Sequence, residues 1–393
     1  MKKLHNLRIG LSVLACCGPV VFSVTANAAE EKSGEIRAPE NSAEITLGDG
    51  KIRVQVGEPF VISKSTGHHW FPTLKQISPQ HLFVGIWASA DAAMSEQGVH
   101  SVGVWSQDGG RTWGEPVSFR GKHAGGHSWI RRKDDTCVWL SYFTRRIDET
   151  TATCNVGHSQ DGRTYSWSVG KVTFPQAVNE WKDGNAHMVF ARSILETSDG
   201  SLLASMYGRF AGDKRYRSIL VRSTDGGVNW EYFSTMAYDP NADGEGLCEP
   251  CVVQLAGGDL FCIMRVSSGK PMHSVHSSDG GKAWSAPVKL APYTASVFPD
   301  LVLTSNGVLA CSFGRPGCHL MFSVDGKGKH WTERATIFQG PSTSYTAIRE
   351  VAPGQLLYVH DVVPAGWSKL MPGQFNEIRG VFVTVLEQDD CGS

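Results

Sequence analysis

The sequence predicts an all-β chain folded as a six-bladed β-propeller, and two interleaved repeats predict it. The first is a turn. Ser106-Gln107-Asp108-Gly109-Gly110-Arg111-Thr112-Trp113 recurs in near copies at Ser159 to Trp167, Ser223 to Trp230, Ser277 to Trp284 and Ser323 to Trp331. In each copy Asp can accept bonds from turn N–H groups, Gly supplies positive φ, and a Trp follows that can pack into a neighbouring layer. One such turn would mean only a hairpin. Five in one chain, their Asp residues roughly 46 to 64 positions apart, mean a repeat of four-stranded units.

The second repeat is a set of apolar runs between those turns: His81 to Trp87, Cys137 to Phe143, Gly200 to Gly208, Gly258 to Arg265, Gly307 to Gly314 and Gly354 to Asp361. Continuous apolar runs bounded by turn signals suit strands covered on both faces. The first five are each followed by an Asp turn and the sixth is not. Six blades follow, with the last completed by a strand near Ile45 to Val56. Pairing the two ends of the chain in one blade closes the ring and removes exposed edges.

The flanks and the bulk composition set the context. Met1 to Ala29 reads as a secretory signal: Lys2, Lys3 and Arg8 open it, Leu11 to Val24 is apolar, and Ala26-Asn27-Ala28 is a small-residue cleavage site. The expected location is therefore secreted or periplasmic. Val13-Leu14-Ala15-Cys16 loosely resembles a lipoprotein box, so anchoring through Cys16 is the alternative. No later apolar run approaches the roughly 18 residues of a membrane helix, and residues 30–393 read as one domain. A net charge of −1 without a basic stripe argues against a nucleic-acid partner, while 43 glycines and 12 tryptophans fit turns and stacking surfaces. Cys248-x-x-Cys251 has no second half to complete a zinc site, so the expectation is packed or disulfide-bonded cysteines and no metal.

Aligning the six repeats gathers the candidate site residues. Sixteen positions before Arg265 stands Glu249, and sixteen before Asp361 stands Tyr345; both open the first strand of their pair. The matching regions hold His68, His69 and Trp70 in blade 1, His127 in blade 2, His187 and Arg192 in blade 3, and Asp300 in blade 5. Arg209, Arg265 and Arg315 end second strands. Because paired strands are antiparallel, these starts and ends share one face of the ring. So many charged groups around one opening are costly unless something binds there. Taken singly, each has a plainer reading: rim arginines in structural ion pairs, a packed Tyr345, a loop-ending Glu249, histidines in loop packing.

Residues 60 to 365 resemble the sialidase (neuraminidase) superfamily of six-bladed propellers, in which the repeated turn is the Asp box. Cys248-Glu249-Pro250-Cys251 through Arg265 looks like that family's segment carrying the acidic partner of the nucleophile and one carboxylate-binding Arg. Phe313-Gly314-Arg315-Pro316-Gly317 is similar to a second Arg segment, and Ser344-Tyr345-Thr346 to the nucleophile segment. The resemblance implies Tyr345 as nucleophile, Glu249 as its base, and Arg265 and Arg315 on a substrate carboxylate. Asp91 matches the acid/base by location, with Glu96 as a rival. The chain departs from the family in blade 1, where Trp70-Phe71-Pro72 stands in place of Arg-Ile-Pro; Arg209, His68 or His69 are the candidate substitutes for the missing arginine.

The implied function is a retaining exo-α-sialidase acting on a sialylated glycan or other anionic carbohydrate, with no cofactor. A tyrosine nucleophile suits an anomeric carbon that already carries a carboxylate, since a charged nucleophile would be repelled. Another exo-glycosidase, a uronate-directed lyase and a non-catalytic carbohydrate-binding propeller are the alternatives.

Overall fold

The computed structural model describes residues 43–386 apart from Met94, Glu96, Gln97, residues 122–125 and Ser296. Met1 to Ala29, expected to be a secretory signal and including Cys16, and Glu96 lie outside the described residues. Helical structure among the described residues is limited to 3-10 turns such as Pro292–Thr294, and no helix there is long and apolar enough to cross a membrane.

The strands group into antiparallel units consistent with six blades, and parallel pairings of Ser166–Thr173 with Trp230–Ala237 and of Trp129–Arg131 with Met188–Glu196 join the second and third into one sheet. Blade 1 is Trp70–Gln76, Leu82–Trp87, His100–Ser106 and Val117–Arg120. Blade 2 is Trp129–Arg131, Cys137–Leu140, Thr151–Ser159 and Ser166–Thr173. Blade 3 is Met188–Glu196, Leu202–Gly208, Arg217–Ser223 and Trp230–Ala237. Blade 4 runs from Cys248–Gln254 through Leu260–Arg265 and His273–Ser277 to Val288–Lys289. Blade 5 runs from Asp300–Leu303 through Leu309–Gly314 and Cys318–Ser323 to Ala335–Phe338.

Blade 6 takes Thr346–Ala352, Gln355–Val362 and Asn376–Leu386 from one end of the described chain and its remaining strands from the other. The long strand Asn376–Leu386 is shared. Its first half pairs with Phe60–Ser65 and its second half with Ile52–Val56, which carries Ala43–Leu47 on its far side. The expected strand near Ile45 to Val56 is present as this hairpin. Phe60–Ser65, which the sequence reading passed over, does half of the closing.

Packing between blades explains the unbroken apolar runs. Leu74, Leu82 and Val84 of blade 1 meet Ala347, Leu357 and Val359 of blade 6, and Leu203 and Leu220 of blade 3 meet Leu260 and Cys262 of blade 4. A strand buried on both faces needs no polar alternation. The seven described cysteines are all free and buried, so they pack rather than pair.

Each Asp turn joins the third and fourth strands of its blade. Asp108 Oδ1 accepts from the N–H groups of Arg111 at 3.0 Å and Thr112 at 2.9 Å, and Trp113 Nε1 donates to the Gly110 carbonyl at 3.0 Å. Gly110 sits at φ 90°, and a Cβ there would stand 2.7 Å from Leu357 of blade 6, so this glycine is required twice over. Blade 2 differs from expectation. Its turn is one residue shorter, so the Tyr165 hydroxyl makes the bond to the Gly162 carbonyl, at 3.1 Å, and Trp167 falls in the next strand.

Candidate active site

The face opposite the Asp turns is where first strands open and second strands end. In blades 1 and 4 the opening strand slips register against its neighbour, between Trp70 and Thr73 and between Cys248 and Cys251. Phe71 and Glu249 sit in those slips at φ 51° and 48°; Ser344, just before Tyr345, is at φ 65°. Left-handed backbone at such residues costs about 1–3 kcal/mol each and persists only where surrounding bonds over-determine it. Here they do. Buried Asp361, at the end of blade 6's second strand, accepts from Ser342 Oγ at 2.7 Å, from Thr343 N at 2.8 Å, from the Thr343 hydroxyl and from Phe71 N at 3.0 Å. One carboxylate thus fixes the approach to Tyr345 and the bulge of blade 1.

Tyr345 and Glu249 are brought together. The phenol donates to Glu249 Oε1 at 2.6 Å; Arg265 Nη1 donates to the same oxygen at 3.0 Å, and Phe298 N–H holds Oε2 at 2.7 Å. Arg265 also reaches Glu245 at 2.9 Å. Burial, and then the neighbouring Glu249 charge, push the Tyr345 phenol well above its ordinary pKa, so it needs a base to react. The Glu249 carboxylate, which has the chemistry of a base, is in contact.

The other expected residues fall in different places. Arg315 donates to the Thr343 carbonyl at 2.8 Å and to Ser268 at 3.1 Å, with its guanidinium between the Trp367 ring, 4.5 Å away, and the Tyr345 ring, 5.9 Å away. Asp91 stands at the exposed rim, where its backbone N–H donates to Ser368 Oγ at 2.7 Å. The surrounding protein desolvates its carboxyl enough to raise the pKa, against the pull of Arg315. Arg209 lies over the Tyr216 ring at 4.7 Å with Nε unpartnered. His69 is buried with Nε2 on Ser63 at 3.1 Å, and burial lowers its pKa to about 4. His68 packs on Trp70 at 4.6 Å.

A cleft open to solvent runs from Tyr345 between blades 1 and 2. Asp91, His127, Trp87, Tyr142, Phe143 and Phe298 line it. His127 Nδ1 has no partner, and burial with nearby Arg192 and Lys75 holds the ring neutral. Below it the ring axis is charged: Asp300 pairs with Arg192 at 3.1 Å and Arg349 at 2.9 Å. Burial alone would raise the Asp300 carboxyl, but the two arginines hold it below the usual range. Arg192 in turn donates to the Phe298 carbonyl at 3.2 Å, and its guanidinium lies 4.8 Å from the Phe298 ring, propping the residue whose N–H orients Glu249. Sequence reasoning missed Phe298, because a backbone N–H carries no side-chain signal. It also used Asp361 only as a phase marker, although an Asp closing an apolar strand was itself the clue. Among the described residues no group of three His, Cys, Asp or Glu stands close enough to hold a metal ion.

Fold and site together define an Asp-turn propeller with a tyrosine–carboxylate pair at the mouth of its ring. The chain belongs to the BNR repeat-like domain family, whose model matches residues 101–359. Among solved structures it is similar to a protein of unknown function from Dyadobacter fermentans, at 17% identity and TM-score 0.66 over 85% of this chain and 99% of that one. It is similar to a mutant of the NanB sialidase of Streptococcus pneumoniae, at 13% identity and TM-score 0.58 over 84% and 70%. It is also similar to an α-L-arabinanase of Penicillium chrysogenum complexed with arabinobiose, at 16% identity and TM-score 0.59 over 88% and 98%. No curated protein matches the chain.

Proposed function

We propose that this protein is a retaining exo-glycosidase that releases a terminal sialic acid from a glycoconjugate. The observation that carries the proposal is the 2.6 Å bond from Tyr345 to Glu249, with Arg265 on the same carboxylate oxygen. In the proposed first step the Tyr345 oxygen bonds to the anomeric carbon as the bond to the leaving oxygen breaks. The phenolic proton passes to Glu249, and Asp91 protonates the leaving oxygen. In the second step Asp91 takes a proton from water as the water displaces Tyr345, and Glu249 returns its proton to the phenol. Arg265 and Arg315 grip the sugar carboxylate through their planar forks. The signal-like Met1 to Ala29 leads us to place this activity outside the cytoplasm.

A second reading, a neutral-sugar exo-glycosidase or a uronate-directed lyase, draws on Trp70 standing where the third arginine is expected and on neutral His127 in the cleft. Fluorophore release from a sialoside, run beside pentoside, rhamnoside and uronide substrates, separates the two. Sialoside release with retained configuration, falling about 1,000-fold or more in Tyr345→Phe, is the expected result. Turnover of a neutral pentoside alone would overturn the proposal, and binding without turnover of any substrate would make the protein a lectin-like propeller.

A further inference from the structure

The loop between the second and third strands of blade 6 is unlike the rest of the surface. Among the described residues eleven large hydrophobic side chains are exposed, and four of them fall between positions 367 and 375: Trp367 at 42%, Leu370 at 46%, Met371 at 55% and Phe375 at 45%. Two turns, closed by Gly366 N to Val363 O and Gln374 N to Met371 O, set the loop's course. Ser368 is in the left-handed region at φ 60°. Four adjacent exposed hydrophobes mark a surface that something apolar covers.

The loop is tied to the site at two points. Ser368 Oγ accepts the N–H of Asp91, and the Trp367 ring lies against Arg315. These contacts say what part of a substrate the loop faces. On the reading above, Asp91 hands its proton to the oxygen of the departing group and Arg315 holds the carboxylate of the sugar being released, so the loop straddles the scissile bond, with Trp367 on the sugar side and Ser368 and the residues after it on the side of the departing group. A hydrated polysaccharide leaving group would call for polar side chains with aromatic platforms there, not exposed aliphatic ones. This loop offers Trp, Leu, Met and Phe, with the ammonium of Lys64 held 5.0 Å over the Phe375 ring.

We infer that residues 368–375 form the subsite for the leaving group and that it takes an apolar aglycone, such as the hydrocarbon part of a glycolipid. Trp367 backs Arg315 on the sugar side, and Leu370, Met371 and Phe375 cover the aglycone beyond the scissile bond. The inference rests on the Asp91 assignment, so its test must read aglycone preference separately from catalysis.

The experiment compares methyl and octyl α-sialosides below micelle-forming concentration, in the parent and in a Leu370→Ser/Met371→Ser double variant whose melting temperature matches the parent's. Burying even two methylenes gives the octyl compound an advantage of about tenfold in kcat/KM. That ratio should fall toward one in the variant. Equal kcat/KM for the two compounds in the parent overturns the inference. Where neither compound is cleaved, tryptophan fluorescence titration with non-cleavable octyl and methyl thiosialosides decides: tighter octyl binding upholds the aglycone surface and refutes only the hydrolase reading, and equal affinity refutes the surface. Equally strong binding to plain phosphatidylcholine vesicles, with or without a sialylated lipid, would make the loop a general lipid contact and overturn the aglycone assignment.

Discussion

Replacing Asp361 by Asn tests whether one buried carboxylate sets the geometry of the site. Asn keeps an oxygen for Ser342 Oγ and Thr343 N, but puts an NH2 group where Asp361 Oδ2 now receives Phe71 N–H at 3.0 Å and the Thr343 hydroxyl. Donor then faces donor. The Phe71 amide loses its partner, and two charge-assisted bonds become neutral ones, which together cost about 2–3 kcal/mol. Burial pushes the Asp361 carboxyl above its ordinary pKa in spite of its hydrogen bonds. The native state therefore binds more protons than the unfolded chain between the unfolded carboxyl value and the raised one, and the parent loses stability as pH rises through that window. The Asn variant lacks that slope. Urea unfolding at a series of pH values measures both quantities, and kcat should fall as the approach to Tyr345 loosens. An Asn variant within about 0.5 kcal/mol of the parent at neutral pH would refute the hub role.

Two further outcomes follow from the site. Arg265→Lys and Arg315→Lys keep the charge and lose the fork, so each should raise KM for a carboxylate-bearing sugar by about tenfold or more, measured by initial rates; unchanged KM in both makes these arginines structural. Asp91, with its pKa raised by desolvation, serves as acid only while protonated, so parent activity on an alkyl glycoside should decline as pH rises through that value. Asp91→Asn should abolish the decline and retain most activity only on aryl glycosides, whose leaving groups need no proton; an unaltered pH profile would remove Asp91 from the mechanism.

Much of this was legible in the sequence because repetition and burial leave strong signals. Five Asp turns and six apolar runs announce the blades, since a strand covered on both faces must be apolar throughout. The phase shared by Glu249, Tyr345, Arg265 and Arg315 was legible because antiparallel pairing converts sequence spacing into a common face. What did not show were features decided by tertiary contact. Phe60–Ser65 reads like any short strand, and only the length of Asn376–Leu386 reveals that two partners share it. The one-residue deletion that gives Tyr165 the place of a Trp is invisible until the Gly162 carbonyl is located. The left-handed turns at Phe71 and Glu249 suit no sequence rule, because bonds from Asp361 and around Glu249 impose them.

The shared oxygen of Glu249 carries the last consequence. Tyr345 O–H and Arg265 Nη1 both donate to Oε1, and Phe298 N–H occupies Oε2. A proton arriving on Oε1 would face the Arg265 N–H, donor against donor, so on the proposed mechanism Arg265 has to withdraw as Tyr345 ionises. An incoming sugar carboxylate gives it somewhere to go, in competition with Glu245 and Glu249. A sugar without that carboxylate leaves Arg265 in place. Recognition of the carboxylate is thereby coupled to activation of the nucleophile, which is binding energy expressed in the transition state and not only in the ground state. Rates for a sialoside and for its carboxamide counterpart test this. The amide should lose kcat as well as affinity, and full kcat with only KM raised would show that Arg265 serves binding alone.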